Sequence, residues 1–591
     1  MDGTHGIALG HRRLAILDLS PSGHQPMSSA DNRFVIIFNG EIYNHLELRS
    51  TLEGEGGAPQ GGWRGHSDTE TLLAGFNHWG IEGTLKAAVG MFAIAAWDRQ
   101  TKTLTLARDR IGEKPLYYGW QGNCFLFASE LKAIQAHPAF SRRIDWAAAA
   151  SFLRSGYIPA PASIFQGIGK LLPGTCLRMT AEDLQRHRLP APVAYWSLSQ
   201  AALAGAARPF SGTFDEAVEQ LEQLICQAVQ LQSVADVPVG AFLSGGIDSS
   251  TVVAMMQKMA NARVTTFSIG MPDARMDESA HAAAVAAHLG TRHVAHTIHP
   301  HEALDLIPRL PAIWDEPFAD SSQIPTYLVC RLAREQVTVA LSGDGGDEFF
   351  LGYPQYALYR QIWKHRALGR LPWHAGLALL RPFGREGKIG TASRRAQSIV
   401  QAWRQPDAQS LNRYWMDRYR GARVPMQEQG RVDQPPVPIL ADAADTAALW
   451  DANTYLADDI LVKVDRAAMA NSLETRAPLL DHRIIEFAYR LPLEFKLQGN
   501  TGKRILREVL YRHVPAAMVD RPKMGFSIPL AQWLRHELRP WAEHLLSRMA
   551  GDATPLVQAD IGRMWREHLA GQNNHSEKIW SVLTLLAFDA T

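Results

Sequence analysis

Val239-Gly240-Ala241-Phe242-Leu243-Ser244-Gly245-Gly246-Ile247-Asp248-Ser249-Ser250 is the stretch that decides how this chain is read. An apolar run ends in Ser-Gly-Gly, and Asp-Ser-Ser then opens a helical spacing that continues to Met259. Upstream, Val218, Leu221, Leu224, Ile225 and Val229 predict a helix over 214–232. The stretch itself predicts a strand over 237–243 and a helix over 249–259. Downstream, strands are expected over 264–269 and 337–341, with a helix over 278–289 between them. Strands alternating with helices predict an α/β fold with a parallel, doubly wound sheet, and ligands at the carboxyl ends of its strands. Residues 355–591 read as mainly helical, with 371–435 irregular.

The loop suits an anion. Gly245 and Gly246 let backbone amides approach a pyrophosphate, and a helix N-terminus adds free N–H groups and a positive dipole. Ser244, Ser249 and Ser250 offer hydroxyls, while Asp248 is a better ligand for Mg²⁺ than for phosphate. A capped strand-to-helix turn needs one Ser or Asp, not four around two glycines. The spacing matches neither G-x-x-x-x-G-K-[ST] nor G-x-G-x-x-G. A second loop, Ser342-Gly343-Asp344-Gly345-Gly346-Asp347-Glu348, gathers three carboxylates after a strand, which points to a bound cation. Lys503, after Thr501-Gly502, is by residue type alone a solvated lysine.

Lys+Arg number 60 and Asp+Glu 59, a net charge of +1, which excludes a broadly basic nucleic-acid coat. No apolar run approaches the ~20 residues of a membrane helix, and no leader is visible, so a cytoplasmic location is expected. The four cysteines, Cys124, Cys176, Cys226 and Cys330, form no C-x-x-C pair and indicate neither zinc nor a disulfide framework.

Ser-Gly-Gly-x-Asp-Ser-Ser resembles the pyrophosphate loop of ATP pyrophosphatases, and nearly the whole chain resembles glutamine-dependent asparagine synthetases of the bacterial B type. The resemblance implies ATP contacts at Leu243, Ser244, Gly245, Gly246, Asp248, Ser249, Ser250, Ile269, Ser342 and Gly343. It implies Mg²⁺ at Asp248 and Asp347, and Lys503 as the cation that stabilises departing pyrophosphate. Asp344, where many relatives have Glu, is matched to a general base. The stretches 315–322 and 462–481 also look like the family; Asp465, Glu474 and Arg476 there are read either as an ion network near the acceptor site or as a clamp between helices.

Before residue 156 short strands dominate: 34–38, ending at the turn dipeptide Asn39-Gly40, then 89–97, 103–107 and 124–128, with a helix over 68–79. Arg13, Asn39, Gly40, Glu41 and Asp68 make a sensible cage for an amino acid. Arg13 would pair with the α-carboxylate, Glu41 and Asp68 with the α-ammonium, and Asn39 with the Gly40 amide would form an oxyanion hole. In this order they resemble the glutaminase domain of class II amidotransferases, an N-terminal-nucleophile fold of α/β/β/α layers, where Leu14, Ala15, Ile16 and Leu17 also match glutamine-binding positions. That family uses an N-terminal cysteine as nucleophile. None of the four cysteines here matches it, and Arg13 stands only twelve residues after Met1. The domain is therefore expected to lack its opening segment, with 1–6 as the middle of a family strand; the upstream nucleotide sequence would show a Met-Cys-Gly if the start was assigned internally.

The expected organisation is an N-terminally truncated amidotransferase domain over 1–156, a Pro-bearing linker over 157–213 and a synthetase domain over 214–591. The expected activity is ATP-dependent amidation of aspartate through β-aspartyl-AMP, with nitrogen from glutamine or free ammonia; a homodimer is compatible with the resemblance. Amidation of another carboxylate, such as a sugar acid or secondary metabolite, is the alternative within enzymes, and a non-catalytic binding or storage protein the alternative outside them.

Overall fold

The computed structural model describes residues 6–271, 277–367, 398–427, 429–521, 528–549 and 554–590. The strand expected over 1–6 thus lies outside the described residues except for Gly6. The amino-terminal strands are β1 (Met27–Ser28), β2 (Phe34–Ile42), β3 (Gly90–Asp98), β4 (Thr103–Arg108), β5 (Tyr117–Gln121), β6 (Cys124–Ala128), β7 (Ile168–Lys170), β8 (Thr175–Thr180) and β9 (Val193–Ala194). They form an antiparallel six-stranded sheet in the order β1-β2-β3-β4-β8-β9 and a three-stranded sheet β6-β5-β7.

Alternation along the central strands builds the layers. Ile36, Phe38, Phe92, Ile94 and Ala96 pack with Leu72, Leu73 and Phe76 of the helix Asp68–His78. Ala93, Ala95, Trp97, Leu104 and Leu106 face the other way, against Tyr118, Leu171 and Leu177. A helix layer therefore covers one face of the large sheet and the small sheet the other. Beyond the small sheet, Tyr117 and Ile168 join a core with Ala148, Phe152 and Leu153 of the helix Trp146–Ser155.

Two expectations need correction here. Asn39-Gly40 does not end its strand: β2 runs on to Ile42, and Gly40 pairs with Phe92. A Cβ on Gly40 would stand 2.0 Å from the Met91 carbonyl oxygen, so glycine is there to let two strands meet, not to turn the chain. Residues 157–213 are not a plain linker, because β8 and β9 extend the six-stranded sheet and β7 completes the small one. None of the six prolines that suggested a linker falls inside one of these strands, where a missing N–H would break the ladder.

The carboxyl-terminal half holds β10 (Val239–Phe242), β11 (Thr265–Gly270), β12 (Arg292–Thr297), β13 (Val339–Leu341) and β14 (Glu474–Arg476) in a parallel sheet ordered β12-β11-β10-β13-β14. Ala241, Val339 and Leu341 pack against the helices Phe214–Gln232 and Ile247–Met259. Phe267 and Ala340 pack on the opposite face with Tyr327, Leu328 and Ala467. The sheet is doubly wound, as the alternation predicts. Its edge strands β12 and β14 were not anticipated. Arg292–Thr297 is rich in Arg and His, and three-residue β14 lies more than a hundred residues from its neighbour β13. Of the stretch 371–435 expected to be irregular, 408–416 forms the helix Ala408–Met416, and 371–397 and 428 lie outside the described residues.

Candidate active site

Strand β10 delivers the chain into Ser244-Gly245-Gly246, and Gly246 caps the helix Ile247–Met259. The loop is closed by its own hydroxyls: the Ser244 and Ser249 oxygens are 3.0 Å apart, and the Ser244 amide donates to Ser249 Oγ at 3.2 Å. Leu243, Ser244, Gly246, Asp248 and Ser249 line a cavity of about 920 Å³ at the carboxyl ends of β10, β11 and β13. Ile269, Ser342, Gly343, Asp344 and Asp347 line the same cavity. Ser250 is instead fully buried within the helix, and Gly245 packs against the backbone of His281 and Ala282.

Lys503 closes one end. Its Nζ lies 2.5 Å from Asp248 Oδ2 and 2.7 Å from Asp347 Oδ1. Burial disfavours its charge, but the two carboxylates outweigh burial and hold its pKa above the usual lysine value. The ammonium is therefore permanently charged at neutral pH. The local backbone is built around it: Lys503 sits at φ +58° ahead of the helix Arg504–Tyr511, with its amide donating to the Phe350 carbonyl at 2.8 Å. Gly352 leaves the room, since a Cβ there would stand 2.0 Å from Lys503 Cε and 2.2 Å from Asp347 Oδ1.

Asp344 accepts from Ser342 Oγ at 2.8 Å, and the Ser342 amide donates to the Arg476 carbonyl, also at 2.8 Å. Asp344 additionally lines a small void of about 20 Å³ shared with Met91, Glu113 and Lys114 of the amino-terminal half. It stands where the two halves of the molecule meet.

The rest of the cavity wall was not assigned from the sequence. Lys463, on the helix Leu461–Met469, places Nζ 2.7 Å from Asp320 Oδ2 and 2.8 Å from Ser322 Oγ. Tyr353 OH donates to Glu348 at 2.8 Å, and its ring lies 6.2 Å from that of Tyr455. Arg521 donates to the Ser244 carbonyl at 3.3 Å and pairs with Glu278 at 2.9 Å. The stretches 315–322 and 462–481 look like the family in sequence, but nothing in their local pattern shows that Asp320 and Lys463 meet.

The expected glutamine cage is only partly assembled. Asp68 Oδ2 accepts from the Ile42 amide at 2.9 Å beside Glu41, and both carboxylates are buried. Burial, then mutual repulsion, pushes Glu41 well above the ordinary carboxylate range. Glu41 Oε2 accepts from Arg476 Nη2 at 3.0 Å, so it is tied to the carboxyl-terminal half. Asn39 Nδ2 donates to Ser129 Oγ at 3.1 Å. Arg13 is turned onto its own loop, donating to the carbonyls of Leu17 and, at 3.0 Å, Asp18. Ile16 and Leu17 of that loop are buried, and Leu14 and Ala15 half-buried. All four cysteines are unbridged; burial pushes the Cys176 thiol up to about 11 and the Cys330 thiol further still.

Asp465, Glu474 and Arg476, left open between two readings, resolve as ties between the halves. Lys114 Nζ lies 3.0 Å from Asp465 Oδ1, and Arg476 bonds Glu474 at 2.8 Å as well as Glu41.

Comparison with known proteins agrees with this architecture. The asparagine synthase family profile matches residues 220–590, and the glutamine amidotransferase domain profile matches residues 2–190. A putative glutamine-hydrolyzing asparagine synthetase of Mycobacterium tuberculosis (strain H37Rv) is 34% identical over 613 residues, covering 100% of this chain and 90% of its own. Glutamine-hydrolyzing asparagine synthetase 1 of Bacillus subtilis (strain 168) is 32% identical, covering 98% of this chain and 89% of its own. Amidase chry2 of Gibberella zeae is 26% identical over 90% of this chain and 82% of its own. With a nucleotide-type loop and a charged cavity in one half and an amidotransferase fold in the other, the chain belongs to the glutamine-hydrolysing asparagine synthetase family of ATP-dependent ligases.

Proposed function

We propose that the chain converts aspartate to asparagine through a β-aspartyl-AMP intermediate. The observation that carries this reading is Lys503 poised between Asp248 and Asp347 at the head of the cavity. The loop amides and hydroxyls of Ser244, Gly246 and Ser249 cradle the phosphates, and Leu243 and Ile269 border the base and ribose. The β-carboxylate of aspartate attacks the α-phosphorus of ATP, and the bond to pyrophosphate breaks. Lys503 stabilises the negative charge that develops on the leaving group.

Asp248 and Asp347 suit Mg²⁺, which typically takes one or two protein carboxylates and completes its shell with phosphate oxygens and water. Bound there, Mg²⁺ would supply charge neutralisation on the triphosphate.

The nitrogen comes from glutamine at the amino-terminal half, where Arg13, Leu14, Ala15, Ile16, Leu17, Asn39, Gly40, Glu41 and Asp68 are the binding candidates. Free ammonia serves equally for the second step. Ammonia attacks the acyl carbon, AMP leaves with the electron pair of the mixed anhydride, and Asp344, at the contact between the halves, accepts the ammonium proton.

The test is ATP–pyrophosphate exchange by the purified chain with Mg²⁺. Exchange that requires aspartate, with asparagine and AMP formed when ammonia is added, is the expected result. Exchange driven by a different carboxylic acid and not by aspartate would overturn the acceptor. No exchange with any acid by folded protein would favour a non-catalytic role.

A further inference from the structure

The part of the cavity away from Lys503 holds an ion pair that adenylation as derived above does not use. Lys463, Asp320 and Ser322 line the same cavity as Ser244 and Lys503. Lys463 Nζ contacts Asp320 Oδ2 at 2.7 Å and Ser322 Oγ at 2.8 Å. Asp320 Oδ1 accepts from the Ser322 amide at 2.9 Å and from its hydroxyl at 2.8 Å. An ammonium has three donors and a carboxylate about four acceptor positions. Two donors of Lys463 and three positions on Asp320 are occupied, so each partner keeps one place for a ligand.

Largely desolvated ion pairs of this kind add little to stability, because desolvation offsets their attraction. Here the pair borders open space, on two segments more than a hundred residues apart in sequence, each ordered by its own structure. Lys463 is held on a helix that packs in the core, Ser322 precedes the helix Gln323–Arg334, and Asp320 is locked by the Ser322 amide. Tyr353 and Tyr455 line the same cavity as aromatic wall. One fixed cation beside one fixed anion, each with an open position, is complementary to a zwitterion.

We propose that Lys463, Asp320 and Ser322 form the subsite for the α-amino-acid head of the acceptor: Lys463 takes its α-carboxylate and Asp320 its α-ammonium, leaving the side-chain carboxylate to reach ATP. This rests on the reading of the acceptor as aspartate. The subsite makes the enzyme a reader of free α-amino acids, distinguishing aspartate from dicarboxylic acids without an amino group and from amines without the α-carboxylate.

The test compares three acceptors in ATP–pyrophosphate exchange by the full chain. These are aspartate, β-alanine, which lacks only the α-carboxylate, and succinate, which lacks only the α-ammonium. In K463Q, kcat/KM for aspartate should fall about a hundredfold, mostly through KM, while β-alanine changes by less than about threefold. In D320N the same pattern is expected for aspartate against succinate, with KM for ATP unchanged in both variants. Should either variant fail to fold, S322A removes one bond to the pair and should lower the preference for aspartate over β-alanine severalfold. A loss shared equally by all three acceptors, or preferences unchanged in folded variants, would overturn the subsite. Absence of aspartate-dependent exchange in the unaltered chain would instead overturn the acceptor reading.

Discussion

At the residue scale, Lys503 carries the most chemistry for its size. In the proposed adenylation, a cation between two carboxylates would follow charge as it moves onto departing pyrophosphate, and its electrostatic help would be greatest in the transition state. K503M is expected to lower kcat for aspartate-dependent exchange by about 10²–10³-fold with little change in fold, checked by steady-state kinetics beside circular dichroism. A second residue bears on stability alone. Asp451 is fully buried, accepting from Asn412 Nδ2 at 2.7 Å and Tyr356 OH at 2.9 Å. Burial raises its carboxyl from 3.8 to about 7 against those two bonds, which lower it. A folded pKa above the unfolded one gives stability that is complete below about pH 4 and lost as pH rises toward 7. Relative to D451N, which does not titrate, the wild-type chain should weaken by on the order of 4 kcal/mol between pH 4 and 7 and no further above it. Thermal melts of both proteins across that range check it.

At the element scale, helix and strand ends aim the functional groups. Three glycine-bearing loops, after β10, after β13 and before the helix Arg504–Tyr511, converge on one point. The convergence tolerates no extra atom: G352A would drive a methyl into Lys503 and Asp347. This substitution should cut exchange activity by at least about tenfold while changing thermal stability by only about 1–3 kcal/mol; activity lost only in proportion to stability would refute it. The elements that periodicity revealed are those with internal pattern. The helix Phe214–Gln232 and strand β6 agree with their expected bounds residue for residue. Asn39-Gly40 misled because its glycine serves a cross-strand contact, which local sequence does not encode. Strand β14 escaped because three residues carry no period.

At the scale of the whole molecule, the two halves share a core. Tyr117, Leu131, Phe152 and Phe165 from the amino-terminal half pack in one cluster with Trp314, Tyr327 and Trp580 from the other. Buried ion pairs pin the same boundary: Arg476 to Glu41, Lys114 to Asp465, and Lys170 to Glu316 at 2.5 Å. Arg476 is fully buried and also donates to the carbonyls of Gln232 and Val234, so removing it strands two carboxylates and two carbonyls. R476M is expected to destabilise the chain by about 3–5 kcal/mol. The loss should respond little to salt, since buried charges are poorly screened. Urea unfolding at low and high ionic strength measures both effects. No helix among the described residues is long and apolar enough to cross a membrane.

The loop 239–250, the acidic loop 342–348 and the order of Arg13, Asn39, Glu41 and Asp68 were legible in the chain itself, because each is a local motif whose residue types and spacing carry its chemistry. The loops pointed to a nucleotide site and, by resemblance, the ordered residues to an amidotransferase half, while the alternation of strands and helices indicated a parallel sheet. The pairing of Lys463 with Asp320, the placing of Lys503 between Asp248 and Asp347, and the turning of Glu41 toward Arg476 were decided only by the tertiary structure. The partners in those contacts lie between 143 and 435 residues apart. Their meeting depends on how the sheet and its helices pack, and no local spacing records that. The same holds for the assignment of Asp465, Glu474 and Arg476 to the boundary between the halves. An ionic residue is readable in a sequence, whereas its burial and the partner that makes that burial tolerable are properties of the fold.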